Sequence, residues 1–394
     1  PFVLRGVTKW DDIFYPGNFF EEQNITVHLN SEVTDIHSKE KFIVADGKSY
    51  PYDKLILSPG AISSTPPIPG VDGKNIFTIS TNIADSKAVE KVIPNYSSAA
   101  VVGAGAIGIE MTLALMARGY SNVYLMDMLG NILPASLDKD MAEKIEEVMR
   151  KRGVELILPA EVSSIRSGPQ KRVLILPERQ LEVDLVLLTT GARPNVELAR
   201  KAGIEIGDTG GIRVNQYLQT SEPDIYAAGD CIENWDSIIG SKVRHLMVTT
   251  AGRTGDVAAR NAILGNSIAY EGTLLTFVIE IFGHQIGTVG FTEKVAREKG
   301  LDVVADTISI PTTRPRYGGK LFRSKLIADR KTQTLVGAQI ISEEMIRGVV
   351  DVLSLAIAEK IPLRRLALLE TPYSPAVGMD PISGGVARLL RRIR

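Results

Sequence analysis

Between residues 25 and 60 the chain reads as short strands: Ile25-Thr26-Val27-His28-Leu29, where apolar and polar positions alternate, then Lys41-Phe42-Ile43-Val44 and Leu55-Ile56-Leu57, the last leading into Ser58-Pro59-Gly60-Ala61. A period of two is the spacing of half-buried strands, and Asp46-Gly47 supplies a tight turn, so this stretch predicts an antiparallel meander. In Thr65-Pro66-Pro67-Ile68-Pro69-Gly70 the prolines lack the N–H that a helix interior or a central strand needs. The stretch reads as a linker, with a boundary near residue 70. From Ala99 to about residue 214 apolar runs alternate with helical periods in the order strand, helix, strand, helix, strand, as in a doubly wound α/β unit around a parallel sheet. Residues 215 to 270 form a loop-rich return that ends in a helical pattern around Val257-Ala258-Ala259. Beyond Gly272, runs such as Lys325-Leu326-Ile327-Ala328 and Leu335-Val336-Gly337-Ala338-Gln339-Ile340-Ile341 predict an antiparallel sheet covered by helices, one of them over Ile346 to Lys360.

Composition narrows the functional classes. With 394 residues the chain is long enough for two or three cores. Its 45 Lys and Arg against 46 Asp and Glu leave a net charge of −1, too little positive field to attract a nucleic acid backbone. The densest basic cluster, Arg388-Leu389-Leu390-Arg391-Arg392-Ile393-Arg394, could meet a membrane surface or ligand phosphates, but is expected to be a solvated helix face. The single cysteine, Cys231, cannot form an intrachain disulfide, and no apolar run reaches the ~18 residues of a membrane span. A soluble, cytoplasmic protein is expected. Pro1-Phe2-Val3-Leu4-Arg5 has neither the features of a signal peptide nor an initiator methionine, so the N-terminus is expected to continue upstream.

The strongest local signal is Gly103-Ala104-Gly105-Ala106-Ile107-Gly108, which follows the apolar run Ala99-Ala100-Val101-Val102 and opens an apolar helix. In this GxGxxG pattern the glycines serve a tight turn, close approach of backbone to pyrophosphate, and close packing of helix on strand. The diphosphate would sit on the helix N-terminus, where free N–H groups and the dipole favour negative charge. The next strand, Asn122-Val123-Tyr124-Leu125-Met126, ends in Asp127, about 20 residues beyond the glycines, where an acid accepts a ribose 2′-hydroxyl. A carboxylate there repels a 2′-phosphate, which favours NADH over NADPH.

Two further motifs follow in order: Leu187-Leu188-Thr189-Thr190-Gly191-Ala192-Arg193-Pro194-Asn195, and Thr220-Ser221-Glu222-Pro223-Asp224-Ile225-Tyr226-Ala227-Ala228-Gly229-Asp230. Together with the glycine fingerprint they resemble the pyridine nucleotide-disulfide reductases over nearly the whole chain. The similarity is greatest to the single-cysteine branch of coenzyme A-disulfide reductases, NADH oxidases and NADH-dependent persulfide reductases. The resemblance implies two Rossmann-like dinucleotide-binding domains, for FAD and NAD, and a C-terminal α+β dimerisation domain. Residues 1–70 and 215–271 would be two parts of the FAD domain, 71–214 the NAD(H)-binding domain and 272–394 the dimerisation domain. By the same resemblance Gly60, Gly191 and Gly229 belong to the cofactor-binding turns, and Asp230 hydrogen-bonds the FAD ribityl chain. Thr250 and Ala251, with Thr249 before them, resemble the helix start that faces the flavin pyrimidine, and Glu110 matches an acid near flavin and nicotinamide. Ala106 stands where relatives often carry an aromatic that shields the flavin.

Pro1-Phe2-Val3-Leu4-Arg5-Gly6 looks like the continuation of the family's Cys-Gly-Ile-Pro segment, so the redox cysteine is expected a few residues before Pro1. Cys231, beside Asp230, is read as a buried thiol and not as its replacement. Tyr317 and Tyr373 resemble tyrosines that the partner subunit places over the cysteine, where a phenol protonates a departing thiolate. The four histidines, His245 among them, lack metal-ligand spacing, and no metal is expected. The implied activity is transfer of hydride from NADH to FAD and on to coenzyme A disulfide, a persulfide or polysulfide, in a homodimer that could also bind coenzyme A. Dioxygen as acceptor, as in an NADH oxidase, and a flavin-free NAD(H)-binding dimer module remain the alternatives.

Overall fold

Strands Ser98–Val102 and Leu185–Leu188 are buried along their whole length, which is why they read as continuous apolar runs. They are the centre of a parallel sheet ordered Ile76–Thr78, Leu185–Leu188, Ser98–Val102, Asn122–Met126, Val154–Ile157. The computed structural model describes residues 1–79, 82–168, 171–375, 378 and 380–393. Its fold is mixed α/β, and the chain divides into two compact units. The first comprises Pro1–Gly6, Ser64–Gly191 and Leu274–Arg394, the second Val7–Ser63 and Ala192–Thr273.

In the first unit, helix Ala106–Ala117 is apolar nearly all round and buries Ile109, Met111 and the run Leu113 to Leu115. Helix Lys139–Lys151 is amphipathic: Met141, Ala142, Ile145 and Met149 point inward at helical spacing. The return to Leu185–Leu188 departs from the expected strand-helix alternation. It runs through an antiparallel three-stranded ribbon, Ser164–Ser167, Arg172–Ile175 and Gln180–Val183. The same unit holds an antiparallel sheet ordered Phe277–Ile281, His284–Gly290, Thr334–Ser342, Leu321–Asp329, Val303–Pro311, in which the two runs expected after Gly272 are neighbours. Helix Arg347–Ala358 lies inside the expected span. One apolar cluster joins both sheets, from Val101, Ile109 and Ile145 to Ile279, Ile286 and Ile341.

A buried ionic cluster adds to that joint. The Lys325 side chain, 8% exposed, lies 3.2 Å from Asp138, 2.9 Å from Asp140 and 3.0 Å from Glu293. Burial would raise the Asp138 carboxyl, but the Glu293 N–H, the Lys325 charge and the Gln339 amide outweigh it and hold the group below its usual range. The basic C-terminal segment is helix Ser383–Ile393, and Arg388 and Arg392 both pair with the buried Asp306.

The second unit contains the expected meander in shifted form: Val33–His37, Phe42–Ala45 and Lys48–Pro51, with Asp46 and Gly47 at positive φ in the tight turn. Residues 25–29 are not one of its strands; Ile25, Val27 and Leu29 are exposed. Leu55–Leu57 also lies outside the meander, because it pairs in parallel with Ile225–Ala227. Helix Val248–Leu264 accounts for the helical pattern around residue 258. Among the described residues no helix is long and apolar enough to cross a membrane.

Candidate active site

The three glycines of the fingerprint occupy three different environments. Gly103 has φ +113°, and a Cβ there would lie 2.4 Å from the Thr189 carbonyl oxygen. At Gly108 a Cβ would lie 1.8 Å from the Gly103 carbonyl oxygen, so only glycine lets the helix come this close to the loop. Gly105, in contrast, faces open space and stands at the helix N-terminus without a side-chain cap. Free N–H groups at an open, uncapped helix start suit a diphosphate. The Thr189 hydroxyl, 3.0 Å from the Val102 carbonyl and 2.9 Å from that of Gly103, ties the loop to the turn that leads to Gly191 (φ +96°).

Asp127 braces the same loop. One carboxylate oxygen accepts the Ala104 N–H at 2.7 Å and the other accepts that of Leu129 at 2.9 Å. Each oxygen keeps a lone pair for a ribose hydroxyl. The residues present therefore fit a nicotinamide dinucleotide. One turn further along the helix, Glu110 lines a cavity with Phe2, Arg5, Leu113 and Glu280. Burial pushes its carboxyl above the usual range, with Arg5 acting against that rise. Helix Phe2–Arg5 is held there by Arg118, whose Nε donates to the Leu4 carbonyl at 2.7 Å, and by the Arg5–Glu280 pair.

In the second unit Gly229 (φ +81°) turns the chain into Asp230, and the start of helix Val248–Leu264 lies against this turn: a Cβ on Gly229 would be 3.6 Å from that of Ala251. Burial alone raises the Asp230 carboxyl. A half-buried carboxylate with no compensating charge fits a ligand hydroxyl group such as those of a flavin's ribityl chain. Gly60 (φ +70°) also faces open space, and its carbonyl accepts the Asn195 N–H at 2.9 Å. Cys231 is fully buried, its thiol 3.2 Å from the Ala228 carbonyl and its pKa pushed up to about 12 by desolvation, which makes it unreactive.

A third group lies on the antiparallel-sheet part of the first unit. Tyr373 and Tyr317 are 56% and 47% exposed. Arg314 donates from Nε to the Tyr373 hydroxyl at 3.2 Å, and the Arg316 guanidinium lies 5.0 Å from the centre of the Tyr317 ring. Each phenol thus has its own arginine. Thr189, Thr254, Arg118 and Arg314 were not singled out from the sequence. Thr189 stands inside the Leu187–Asn195 motif and Arg314 three residues before Tyr317; for Thr254 and Arg118 the signal is purely spatial.

An open glycine loop on a parallel sheet, closed by an acid at the end of the next strand, defines a dinucleotide-binding protein. Residues 6–255 match the family described as pyridine nucleotide-disulphide oxidoreductase, and residues 279–378 match its dimerisation domain. The chain belongs to this family of NAD(P)H-dependent flavin oxidoreductases, whose cofactors are FAD and NAD(P)H. It is 36% identical over 407 residues to an NADH oxidase of Methanocaldococcus jannaschii, covering 100% of this chain and 90% of the relative. It is 32% identical over 354 residues to an NAD(P)H coenzyme A polysulfide/persulfide reductase of Pyrococcus horikoshii, covering 88% and 78%. The solved NAD-dependent persulfide reductase from A. fulgidus superposes with a TM-score of 0.93 at 29% identity, covering 100% of this chain and 75% of that one.

Proposed function

We propose that this oxidoreductase uses NADH to reduce a low-molecular-weight persulfide or disulfide, with coenzyme A derivatives as the first substrates to try. The arginine-paired phenols of Tyr373 and Tyr317 carry this reading, because a family member that releases a thiolate needs a proton donor at an exposed face. The bound nucleotides supply hydride transfer from NADH to flavin. Gly105 and the helix start behind it receive the diphosphate, and Asp127 receives the ribose and disfavours a 2′-phosphate. Asp230 holds the ribityl hydroxyls while the start of helix Val248–Leu264 faces the flavin ring. Tyr373 accepts from Arg314, which leaves its own proton free to pass to a departing sulfur, in a homodimer from the partner subunit's side. On the family resemblance the electrons pass from the flavin to a redox cysteine, a role the fully buried Cys231 does not fill. Residues 7–63 and 192–273, the second unit, would form the flavin domain, and in the first unit 64–191 the NAD(H) domain and 274–394 the dimerisation domain. Its one buried cysteine suits the reducing cytoplasm.

Dioxygen is the second reading, and Ala106 favours it, since a methyl group leaves the nicotinamide side of the flavin less shielded than an aromatic would. The deciding experiment follows NADH consumption by the full-length protein, anaerobically with coenzyme A persulfide, coenzyme A disulfide or polysulfide, and separately with oxygen. Stimulation by a sulfur substrate that falls roughly tenfold or more in Tyr373→Phe, while NADH still bleaches the flavin absorbance at its normal rate, supports the first reading. Turnover with oxygen alone, indifferent to Tyr373, supports the second.

A further inference from the structure

The second unit contains a buried hydrogen-bonded chain centred on His245. Its Nδ1 lies 3.1 Å from the Thr250 hydroxyl and 3.0 Å from the Thr273 hydroxyl, and the two hydroxyls lie 3.5 Å apart. Thr250 and Thr273 are only 7% and 6% exposed. Desolvation holds the imidazole pKa down to about 4, so the ring is neutral at ordinary pH and its Nδ1 makes one hydrogen bond that rotatable hydroxyls can match. The chain continues through the helix. The Thr254 hydroxyl lies 2.9 Å from the Thr250 carbonyl and 3.0 Å from that of Ala251, and accepts the Gly229 N–H at 3.0 Å.

Back-bonding of a threonine to its own helix is ordinary. Here the same buried oxygen also holds an N–H from 25 residues earlier in the chain. His245 stands before the helix and Thr273 after it, so with Gly229 three separate segments converge on its first two turns. No side chain caps this helix, and the bonds that fix its start run instead through its threonine hydroxyls.

We propose that His245 is a positioning residue for the flavin: through Thr250 and Thr254 it fastens the first two turns of helix Val248–Leu264 to Gly229, and so sets the direction of Asp230 and of the Thr250-Ala251 backbone. This rests on the reading of Asp230, Thr250 and Ala251 as flavin-facing. His245 touches neither nucleotide and moves no proton in the reaction. Its effect is geometric, keeping two cofactor-facing segments in register.

Two pairs of variants in the full-length protein test this. Thr254→Val keeps the side-chain shape but strands the Gly229 N–H, and Thr254→Ser restores the hydroxyl. His245→Leu removes the anchor, and His245→Asn returns a polar atom close to the Nδ1 position. FAD affinity and the midpoint potential of the bound flavin are measured for each, with NADH binding as an internal control. Thr254→Val and His245→Leu are expected to weaken FAD binding roughly tenfold, the scale of one lost buried hydrogen bond. Both should shift the flavin potential to more negative values, since a loosened helix start stabilises negative charge on the ring less well. The Ser and Asn variants are expected to recover most of both effects, and the double variant His245→Leu/Thr254→Val to be no worse than the poorer single. Unchanged FAD affinity and potential in both removal variants, or equal losses in the Ser and Asn variants, would overturn the proposal while the flavin reading stands. A wild-type protein that binds NADH but no FAD would overturn the flavin reading and this proposal with it. If His245→Leu fails to fold, the Thr254 pair decides alone.

Discussion

At the scale of single residues, the fingerprint glycines separate folding from binding. Gly108→Ala places a methyl group 1.8 Å from the Gly103 carbonyl oxygen and is expected to destabilise the protein by roughly 3 kcal/mol, measured by denaturant unfolding. Gly105→Ala meets nothing within 4 Å, so stability should hold while NADH affinity falls about tenfold, close to 1.4 kcal/mol. Equal effects at both positions would contradict a nucleotide seat at Gly105. Asp127→Ala combined with Met128→Arg, at the exposed position next to it, should reverse the proposed preference for NADH over NADPH in KM ratios, because a repelling carboxylate gives way to a guanidinium. Ala106→Tyr should slow reoxidation of the bound flavin by oxygen in stopped-flow absorbance, and a rate equal to or above wild type would remove the shielding argument. The glycines and Asp127 were legible because their spacing is a local chemical signature. Thr189 and Arg314 were not: each acts on a residue remote in sequence, and neither is unusual among its neighbours.

Among elements, the Lys325 cluster tests how helix Lys139–Lys151 and the antiparallel sheet hold together. Removing the cation in Lys325→Met leaves the buried Asp138 carboxylate without its cation and is expected to cost about 3 kcal/mol in denaturant unfolding. Asp138 and Glu293 have depressed pKa values in the folded protein, so their contribution is complete above the ordinary carboxylate range and is lost as pH falls through about 4 towards the folded values. Lys325 is raised, and its contribution persists until pH exceeds its ordinary value. Wild-type stability should therefore drop on acidification below about pH 4.5, with a shallower drop in Lys325→Met; parallel curves would show that the cluster contributes no linkage. Helices were the elements best read in advance, since the continuous apolar run of Ala106–Ala117 behind the glycine loop and the one-faced period of Arg347–Ala358 are both patterns of near neighbours. Strand partners were less legible. A short apolar run identified Leu55–Leu57 as a strand but could not say that its neighbour is Ile225–Ala227, and the alternation of residues 25–29 forms no strand at all.

For the whole molecule, helix Arg347–Ala358 leaves Leu355 58% exposed and Val352 39% exposed within the region that matches the family's dimerisation domain. Leu355→Arg is expected to shift the protein towards monomer in light scattering. It should also depress turnover on sulfur substrates while sparing NADH binding, because the proposed proton donors reach the chemistry only from the partner subunit. A monomer with full turnover would show that Tyr317 and Tyr373 do not act across a dimer. The amino-acid order alone determined the nucleotide fingerprint, the succession of α/β and antiparallel regions and the family, because each is a pattern of neighbours along the chain: turn glycines, strand and helix periods, an acid at a set distance. Only the tertiary structure decided what stands behind those signatures. The carbonyl that forbids a Cβ at Gly108, the arginine on each tyrosine, the burial that silences Cys231 and the bond from Thr254 to Gly229 all join residues that the chain keeps apart. Packing in three dimensions brings them within a few ångströms, and no one-dimensional period encodes that distance.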